Sequence, residues 1–167
     1  TVDGWSKTYA MTGWRLGYGA GPAELIRAMS RLQAQSSLNP SSVSQAAAVA
    51  ALNGPQDIVR ERCAIFQSRR DKLVPRLNAI PGLSCVPPDG AFYAYVSCAG
   101  WLGKRTPQGK VLESDADVTA YLLESGVALP NGAGYGLSPY FRVSFAAAQD
   151  YLDRACDRIE AAAGKLA

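Results

Sequence analysis

The sequence contains no histidine among its 167 residues. Because histidine is the usual proton carrier near neutral pH, acid and base chemistry in this chain would fall to lysine, tyrosine or carboxylates. Without histidine, no mixed cysteine and histidine zinc site can form. The four cysteines are far apart and contain no CxxC pair: Cys63, Cys85, Cys98 and Cys156. We therefore expect no metal site, and we interpret the cysteines as reduced thiols in the core.

Long apolar runs and clustered charges are also missing. No apolar stretch approaches the roughly 18 residues of a transmembrane helix, and no basic run is longer than a pair such as Arg69-Arg70. The net charge of +3 comes from 17 basic and 14 acidic residues spread along the chain. We therefore expect neither a membrane nor a nucleic-acid partner. Reduced cysteines and the lack of a signal peptide indicate a cytoplasmic protein.

The residues that are present predict an α/β fold. Hydrophobic residues make up 48% of the chain and charged residues 19%, which is typical of a folded globular protein. A chain of this length buries one core, or one small domain plus part of another, and we favour the second. Apolar spacing and turn signals predict helices over 23–35, 39–52, 56–79, 115–124 and 148–166. They predict strands over 2–6, 15–20, 83–86, 91–97, 127–130 and 140–145.

The segment 6–18, SKTYAMTGWRLGY, places Lys7 and Arg15 on either side of a Thr-Gly turn. A lysine becomes a nucleophile when its surroundings lower its pKa, and a carbonyl compound can then hold it as an imine. An arginine fork suits a phosphate dianion, and the hydroxyls of Ser6 and Thr12 are candidate further donors. The alternative is that Lys7 is a solvated surface lysine and Arg15 a surface charge.

This segment resembles the signature around the Schiff-base lysine of class I aminotransferases, which are fold-type I enzymes dependent on pyridoxal 5'-phosphate. The resemblance extends over nearly the whole chain. It implies that Lys7 is the catalytic lysine that holds the cofactor, and that Arg15 and Ser6 bind the cofactor phosphate. Two positions depart from the family pattern: Trp5 replaces a smaller aliphatic residue, and Gly4 stands where some relatives have a phosphate-binding serine.

The resemblance also implies which part of the fold this is. Many residues precede the lysine in the family, so we expect the C-terminal part of a longer protein: the end of the large cofactor domain plus a small α/β domain. We place the remnant of the large domain at 1–55, an interdomain helix at 56–79 and the small domain at 80–167. The motif P-x-G-A-F-Y at 88–93 is interpreted as architectural, with a glycine turn and packed aromatic residues. Because relatives are homodimers, the segment 36–40 is an expected interface element.

A second charged residue lies near the far end of the chain. Alternation along 140–145 puts Arg142 on one strand face with Tyr140 and Ser144. An arginine within a strand is costly to bury unless an anion meets it, either a ligand or the carboxylate of a structural ion pair. In similar aminotransferases an arginine in an R-[IV]-S strand binds the substrate α-carboxylate, which implies this role for Arg142. The family loop before the strand implies that Tyr135 lines the substrate pocket; packing of Tyr135 on the small domain is the alternative.

The implied reaction is amino transfer from L-aspartate to 2-oxoglutarate, in amino acid metabolism, with small-molecule amino acids and 2-oxo acids as substrates. In one subgroup of aspartate aminotransferases an arginine five residues before an Asn-Pro pair binds the distal carboxylate of the substrate. Here Ala34 precedes Asn39-Pro40. The distal anchor therefore lies elsewhere, or the substrate is not acidic.

Three alternatives to aspartate amino transfer remain open at this point. The first two are an aromatic or prephenate aminotransferase and a C–S lyase of the same fold. The third, from another class, is a non-catalytic small-domain module for binding or dimerisation. The family's cofactor-stacking aromatic, its pyridine-nitrogen aspartate and its main phosphate loop are not among these residues. We therefore expect the 167-residue chain alone to be inactive.

Overall fold

A computed structural model describes residues 1–167, which form two compact units, Thr1–Cys63 and Ala64–Ala167. The division falls inside a long helix, Asp57–Ala79, which we call α4. Helices and antiparallel strands occur in both units, which confirms the α/β class. The chain has no helix that is both long and apolar enough to span a bilayer. The domain limits at 55 and 79 stay a prediction.

The first unit is a two-stranded ribbon followed by two helices. Its elements are β1 (Val2–Gly4), α1 (Trp5–Thr8), a 3₁₀ turn at Thr12–Trp14, β2 (Gly17–Gly19), α2 (Ala23–Ser36) and α3 (Ser42–Asn53). Strands β1 and β2 pair antiparallel. The strand predicted over 2–6 ends at Gly4, because the chain turns there into α1 and buries Trp5 against Leu16 and Ala48. The helix predicted from Asn39 begins at Ser42.

Helix α2 has the predicted apolar stripe, but the stripe is not buried within this unit. Leu25, Met29 and Leu32 are 55%, 42% and 71% exposed. Their spacing predicted the helix correctly because one face of α2 collects the apolar residues.

The second unit contains the larger core. Beyond α4 its elements are β3 (Ser84–Cys85), β4 (Tyr93–Ser97), α5 (Asp115–Glu124), β5 (Tyr140–Ser144) and α6 (Gln149–Ala163), with 3₁₀ turns at Ala99–Trp101 and Ala133–Tyr135. The antiparallel sheet has the order β3-β4-β5. Side chains from the helices and the inner face of the sheet form one apolar cluster, which includes Leu77, Val96, Trp101, Leu122, Phe141 and Ile159. Trp101 is fully buried, and its indole N–H donates to the Pro81 carbonyl at 2.8 Å.

The strand predicted over 127–130 is wrong. The segment is irregular, and only a single bridge joins the next residue, Asn131, to Phe141 of β5. Pro130 explains the short pairing, because proline has no N–H to donate to a strand ladder. Its carbonyl does accept a hydrogen bond from the Arg142 amide at 3.0 Å. The chain therefore runs beside β5 without forming a fourth strand.

Three of the four cysteines confirm the expectation of reduced core thiols. Cys85, Cys98 and Cys156 are buried and unpaired, whereas Cys63 is exposed, so the expectation is wrong for Cys63. Burial raises the pKa of the Cys85 and Cys156 thiols and raises that of Cys98 to about 11. A buried thiol that stays protonated is a poor nucleophile, which leaves these three cysteines with a packing role.

Helix α5 begins and ends at the predicted residues, and side chains cap its start. The Ser114 hydroxyl accepts a hydrogen bond from the Asp117 amide at 3.2 Å, and the Asp117 carboxylate accepts one from the Ser114 amide at 3.1 Å. This reciprocal capping box satisfies two donors that a helix start would otherwise leave unpaired.

The Asp117 carboxylate should make the stability of the protein depend on pH in the acid range. Lys110 Nζ lies 2.6 Å from Asp117 Oδ1, and with Ser114 it lowers the pKa of Asp117 from 3.8 to about 2. The stabilisation is therefore fully present above about pH 4 and is lost as the pH falls towards 2. Urea unfolding at a series of pH values should show a flatter acid limb for Asp117→Asn than for the wild type. Parallel curves would contradict this prediction.

Candidate active site

The segment that carries Lys7 connects the two paired strands β1 and β2. Gly4 pairs with Gly17, and the Trp5 amide donates to the Leu16 carbonyl at 3.4 Å. A Cβ atom built on Gly4 would lie 3.1 Å from the Leu16 carbonyl oxygen, which is tighter than ordinary packing. Gly4, which departs from the serine of some relatives, therefore allows the two strands to approach. The ends of the segment 5–16 are held together as a result.

The buried side chain of Trp5 anchors this segment. It is 8% exposed, packs with Leu16 and Ala48, and meets the Tyr18 ring edge-on at a centroid distance of 5.4 Å. Its Nε1 is buried without a hydrogen-bond partner in the chain. Trp5, although larger than the residue usual in the family, is therefore accommodated as the main part of a small core. It fixes the helix α1, in which Lys7 lies two residues further on.

Lys7, Arg15 and Ser6 all belong to this one segment. The side chains of Lys7 and Arg15 are exposed and that of Ser6 is half-buried. Arg15 has a left-handed backbone, with φ of 52°, and its guanidinium donates to the Thr12 carbonyl at 2.9 Å. One N–H is thereby engaged in fixing the side chain to the turn, while the guanidinium keeps further donors. The segment therefore presents an amine, a hydroxyl and an oriented guanidinium.

Arg142 of the second unit lies on the outer face of the sheet. Its partner in register on β4 is Tyr95, and the diagonal neighbour is Tyr93. The Arg142 guanidinium carbon lies 4.3 Å from the centroid of the Tyr93 ring and 4.7 Å from that of Tyr135. None of the salt bridges of the chain includes Arg142. The structural ion pair considered as an alternative is thus not present, and the charge is held by aromatic rings.

The loop that carries Tyr135 is fixed by hydrogen bonds. Asp115, which is 1% exposed, accepts a hydrogen bond from the Ala133 amide at 3.0 Å. The Tyr95 hydroxyl donates to the Gly132 carbonyl at 3.1 Å. Desolvation, with a further contribution from the Asp115 charge, raises the pKa of Tyr95 and keeps this hydroxyl protonated as a donor. The position of Tyr135 is therefore set by β4 and by the start of α5.

The sequence model of the family described as aminotransferase class I and II matches residues 1–159.

The chain belongs to the class I and II aminotransferases.

Among relatives of this aminotransferase chain, an aspartate aminotransferase of Rhizobium meliloti (strain 1021) is 56% identical over 167 residues, which are 99% of this chain and 41% of the relative. An aspartate/prephenate aminotransferase of Cereibacter sphaeroides is 49% identical over 162 residues, covering 96% and 40%. A crystal structure of the Rhizobium meliloti aspartate aminotransferase matches with a TM-score of 0.96 and 55% identity, covering 100% of this chain and 42% of that one. The fold is therefore that of part of a fold-type I aminotransferase. The chain spans about 41% of the length of the relatives it matches.

The structure brings the predicted site residues of this aminotransferase chain together in two groups. Lys7, Ser6 and Arg15 share the first unit, and Arg142 and Tyr135 share the second, where they are in contact. The ring of Tyr135 packs on Arg142, so packing on the small domain and a place beside the predicted substrate-binding arginine are compatible. The roles of all five residues stay predictions.

Sequence reasoning missed three residues around Arg142: Tyr93, Tyr95 and Asp115. Tyr93 ends the motif that was interpreted as architectural, and strand alternation could have placed Tyr93 and Tyr95 on the face of Arg142. Asp115 gave no separate signal in the sequence, because an acidic residue is common at the start of a helix, where it interacts favourably with the helix dipole.

Gly132 gives this loop a direct test. A Cβ atom built on Gly132 would lie 2.1 Å from the Leu137 carbonyl oxygen and 2.8 Å from the Tyr95 hydroxyl. We expect Gly132→Ala to displace the loop and to lower the free energy of unfolding by about 1–3 kcal/mol, as overpacking does. Gly134→Ala is the matched control, because the nearest atom to its Cβ is 3.9 Å away. Equal urea midpoints for the two variants would contradict the prediction.

Proposed function

We propose that the protein containing this chain is a pyridoxal-phosphate-dependent aminotransferase that transfers the amino group of L-aspartate to 2-oxoglutarate. The observation that carries the proposal is the Arg142 guanidinium, which rings hold in place and no carboxylate of the chain neutralises. A guanidinium in this state suits a substrate carboxylate, to which it donates two parallel hydrogen bonds. The family and the names of the relatives support the same reaction class.

The residues of the first unit fit the cofactor. The buried Trp5 and the Gly4–Gly17 pairing hold a segment whose exposed groups are an amine and an arginine with free donors. Lys7 would hold the aldehyde carbon, and Arg15 with Ser6 would bind the phosphate dianion, for which a guanidinium fork is suited. When bound, pyridoxal phosphate supplies a carbonyl and an electron sink.

The chain's own side chains then have separate tasks. Arg142 binds the α-carboxylate of the amino acid. Lys7 Nζ would act as the general base that accepts the Cα proton of the bound amino acid. Arg15 would hold the phosphate through its planar guanidinium fork.

Prephenate amino transfer is the second candidate function. A relative that is 49% identical is named aspartate/prephenate aminotransferase, and Ala34 stands where one subgroup has its arginine for a distal carboxylate. The two functions share the α-carboxylate and amine chemistry at Lys7 and Arg142. They differ in what binds the side chain of the amino acid.

The complete enzyme separates these candidates. We expect transfer from aspartate to 2-oxoglutarate, with a higher kcat/KM than transfer from phenylalanine. Prephenate as the acceptor, with aspartate as the donor, reports the second function. No transfer with any of these pairs would contradict both and would favour a non-catalytic module. Cleavage of a C–S bond in cystathionine without amino transfer would indicate a lyase.

We also propose that the complete enzyme is a cytoplasmic homodimer. Unpaired cysteines are consistent with a reducing compartment. The segment 36–40 exposes Leu38, which is 67% accessible, and the nearby Val43 is also 67% accessible. Sedimentation of the complete enzyme tests the dimer, and a monomer at micromolar concentration would contradict it.

A further inference from the structure

The outer face of the β4–β5 sheet carries two staggered contacts between neighbouring strands. Tyr93 meets Arg142 across the diagonal, and Tyr95 stacks on Tyr140 with ring centroids 5.3 Å apart and an interplanar angle of 11°. The opposite face of the same strands is the buried core, formed by Ala94, Val96, Phe141 and Val143. Tyr93 and Arg142 are both half-buried. Their contact is therefore separate from the packing that holds the unit together.

The guanidinium of Arg142 is in contact with two rings. Its carbon is 4.3 Å from the centroid of Tyr93 and 4.7 Å from that of Tyr135, and these two rings do not stack on each other. We call Tyr93 and Tyr135 the Arg142 clamp. Aromatic rings attract the cation through their faces without accepting its N–H groups as a carboxylate would. The clamp therefore restricts the side chain and leaves its N–H donors for an anion.

Both walls of the clamp are fixed independently of any ligand. Tyr93 belongs to β4, where it pairs with Ser144. Tyr135 belongs to the loop that the buried Asp115 carboxylate holds through the Ala133 amide at 3.0 Å. A buried carboxylate that accepts a backbone N–H makes a strong, charge-assisted hydrogen bond. Arg142 is therefore ordered before a substrate arrives.

We infer that Tyr93 is a positioning residue for substrate binding, acting with Tyr135 to hold the Arg142 guanidinium in the orientation that receives a carboxylate. The inference rests on the proposed function, in which Arg142 binds the α-carboxylate. Tyr93 acts through its ring, because its hydroxyl makes none of the hydrogen bonds found in the chain. Preorganisation of this kind improves affinity by reducing the side-chain entropy that is lost on binding.

Leucine and phenylalanine at position 93 separate the ring from the hydroxyl. In the complete enzyme we expect Tyr93→Leu to raise the KM for aspartate about tenfold, with kcat changed much less, since one cation–π contact is lost. The dissociation constant of the unreactive dicarboxylate maleate, measured by calorimetry, should rise by a similar factor. Tyr93→Phe keeps the ring and should restore the wild-type affinity.

The matched control is another tyrosine with the same kind of contact. The Arg154 guanidinium carbon lies 4.4 Å from the ring centroid of Tyr151, on the exposed side of α6. Tyr151→Leu removes this contact away from Arg142 and should leave both the KM and the maleate affinity unchanged. An equal loss in Tyr151→Leu and Tyr93→Leu would overturn the inference, because it would indicate a general effect on stability.

A double-mutant cycle with Arg142→Ala decides whether Tyr93 acts through Arg142. If it does, Tyr93→Leu should have no further effect on maleate affinity in the Arg142→Ala background. An equal loss in both backgrounds would overturn the inference, because Tyr93 would then contact the ligand or act independently. Maleate affinity that is unchanged by Arg142→Ala alone would instead contradict the proposed function. An effect of Arg142→Ala without any effect of Tyr93→Leu would overturn the inference only.

Discussion

Replacing Lys7 by alanine in the complete enzyme is expected to lower kcat by about 10²- to 10⁴-fold, the range that a positioned general base contributes. Lys7 has two tasks in the proposed function, since it holds the cofactor and then moves the Cα proton. Both are lost together, and no histidine of this chain can replace the base. The measurement is the rate of oxaloacetate formation from aspartate at saturating 2-oxoglutarate.

The size of the loss should depend on the amine and not on the removal of a surface charge. Lys72, which is exposed on α4, provides the matched control, and Lys72→Ala should keep the wild-type rate. Addition of a small primary amine such as methylamine should restore part of the activity of Lys7→Ala, because a free amine can take up the proton. Wild-type activity in Lys7→Ala would show that Lys7 is only a solvated surface lysine.

The second large effect is expected at Arg142. Each hydrogen bond to a charged group contributes about 1.5–3 kcal/mol, so loss of a bidentate pair lowers kcat/KM by about 10²- to 10⁴-fold. We expect Arg142→Ala to show this loss for aspartate and for 2-oxoglutarate alike, because both carry an α-carboxylate. Arg142→Lys should recover only part of it, since an ammonium group lacks the planar fork.

Arg154 is the control for Arg142, because it too is an arginine stacked on a tyrosine. Arg154→Ala should leave kcat/KM unchanged for both substrates. A loss confined to one of the two substrates in Arg142→Ala would contradict the assignment to the α-carboxylate, since it would indicate a contact with the side-chain end of that substrate.

The sequence predicts the segment around Lys7 better than the surroundings of Arg142. The spacing of Lys7 and Arg15 is local, so a short motif is enough to identify it. The neighbours of Arg142 come from β4 and from the loop before β5, and their contacts depend on strand register. Register follows from tertiary packing, which a single sequence does not specify residue by residue.

The helices also show that local signals can be predicted from the sequence and that tertiary packing cannot. Helix α5 has its predicted bounds, and its start is set by local contacts, the capping box of Ser114 and Asp117. The stripe of α2 was also recognised, yet Leu25 and Leu32 are exposed. An apolar stripe predicts that a helix has one face suited to burial, but it does not identify the surface that covers it. Similarly, the apolar residues near 127–130 suggested a strand, but Pro130 has no N–H to donate to a ladder and the segment is irregular.

The identity of the cofactor lysine is the central claim, and peptide mapping tests it most directly. The complete enzyme is loaded with pyridoxal phosphate, reduced with borohydride to fix the cofactor on the lysine that holds it, digested and examined by mass spectrometry. We predict that the pyridoxyl group is found on Lys7 and that Lys7→Ala gives no reduced adduct. A stoichiometric adduct on another lysine, with Lys7 unmodified, would contradict the account.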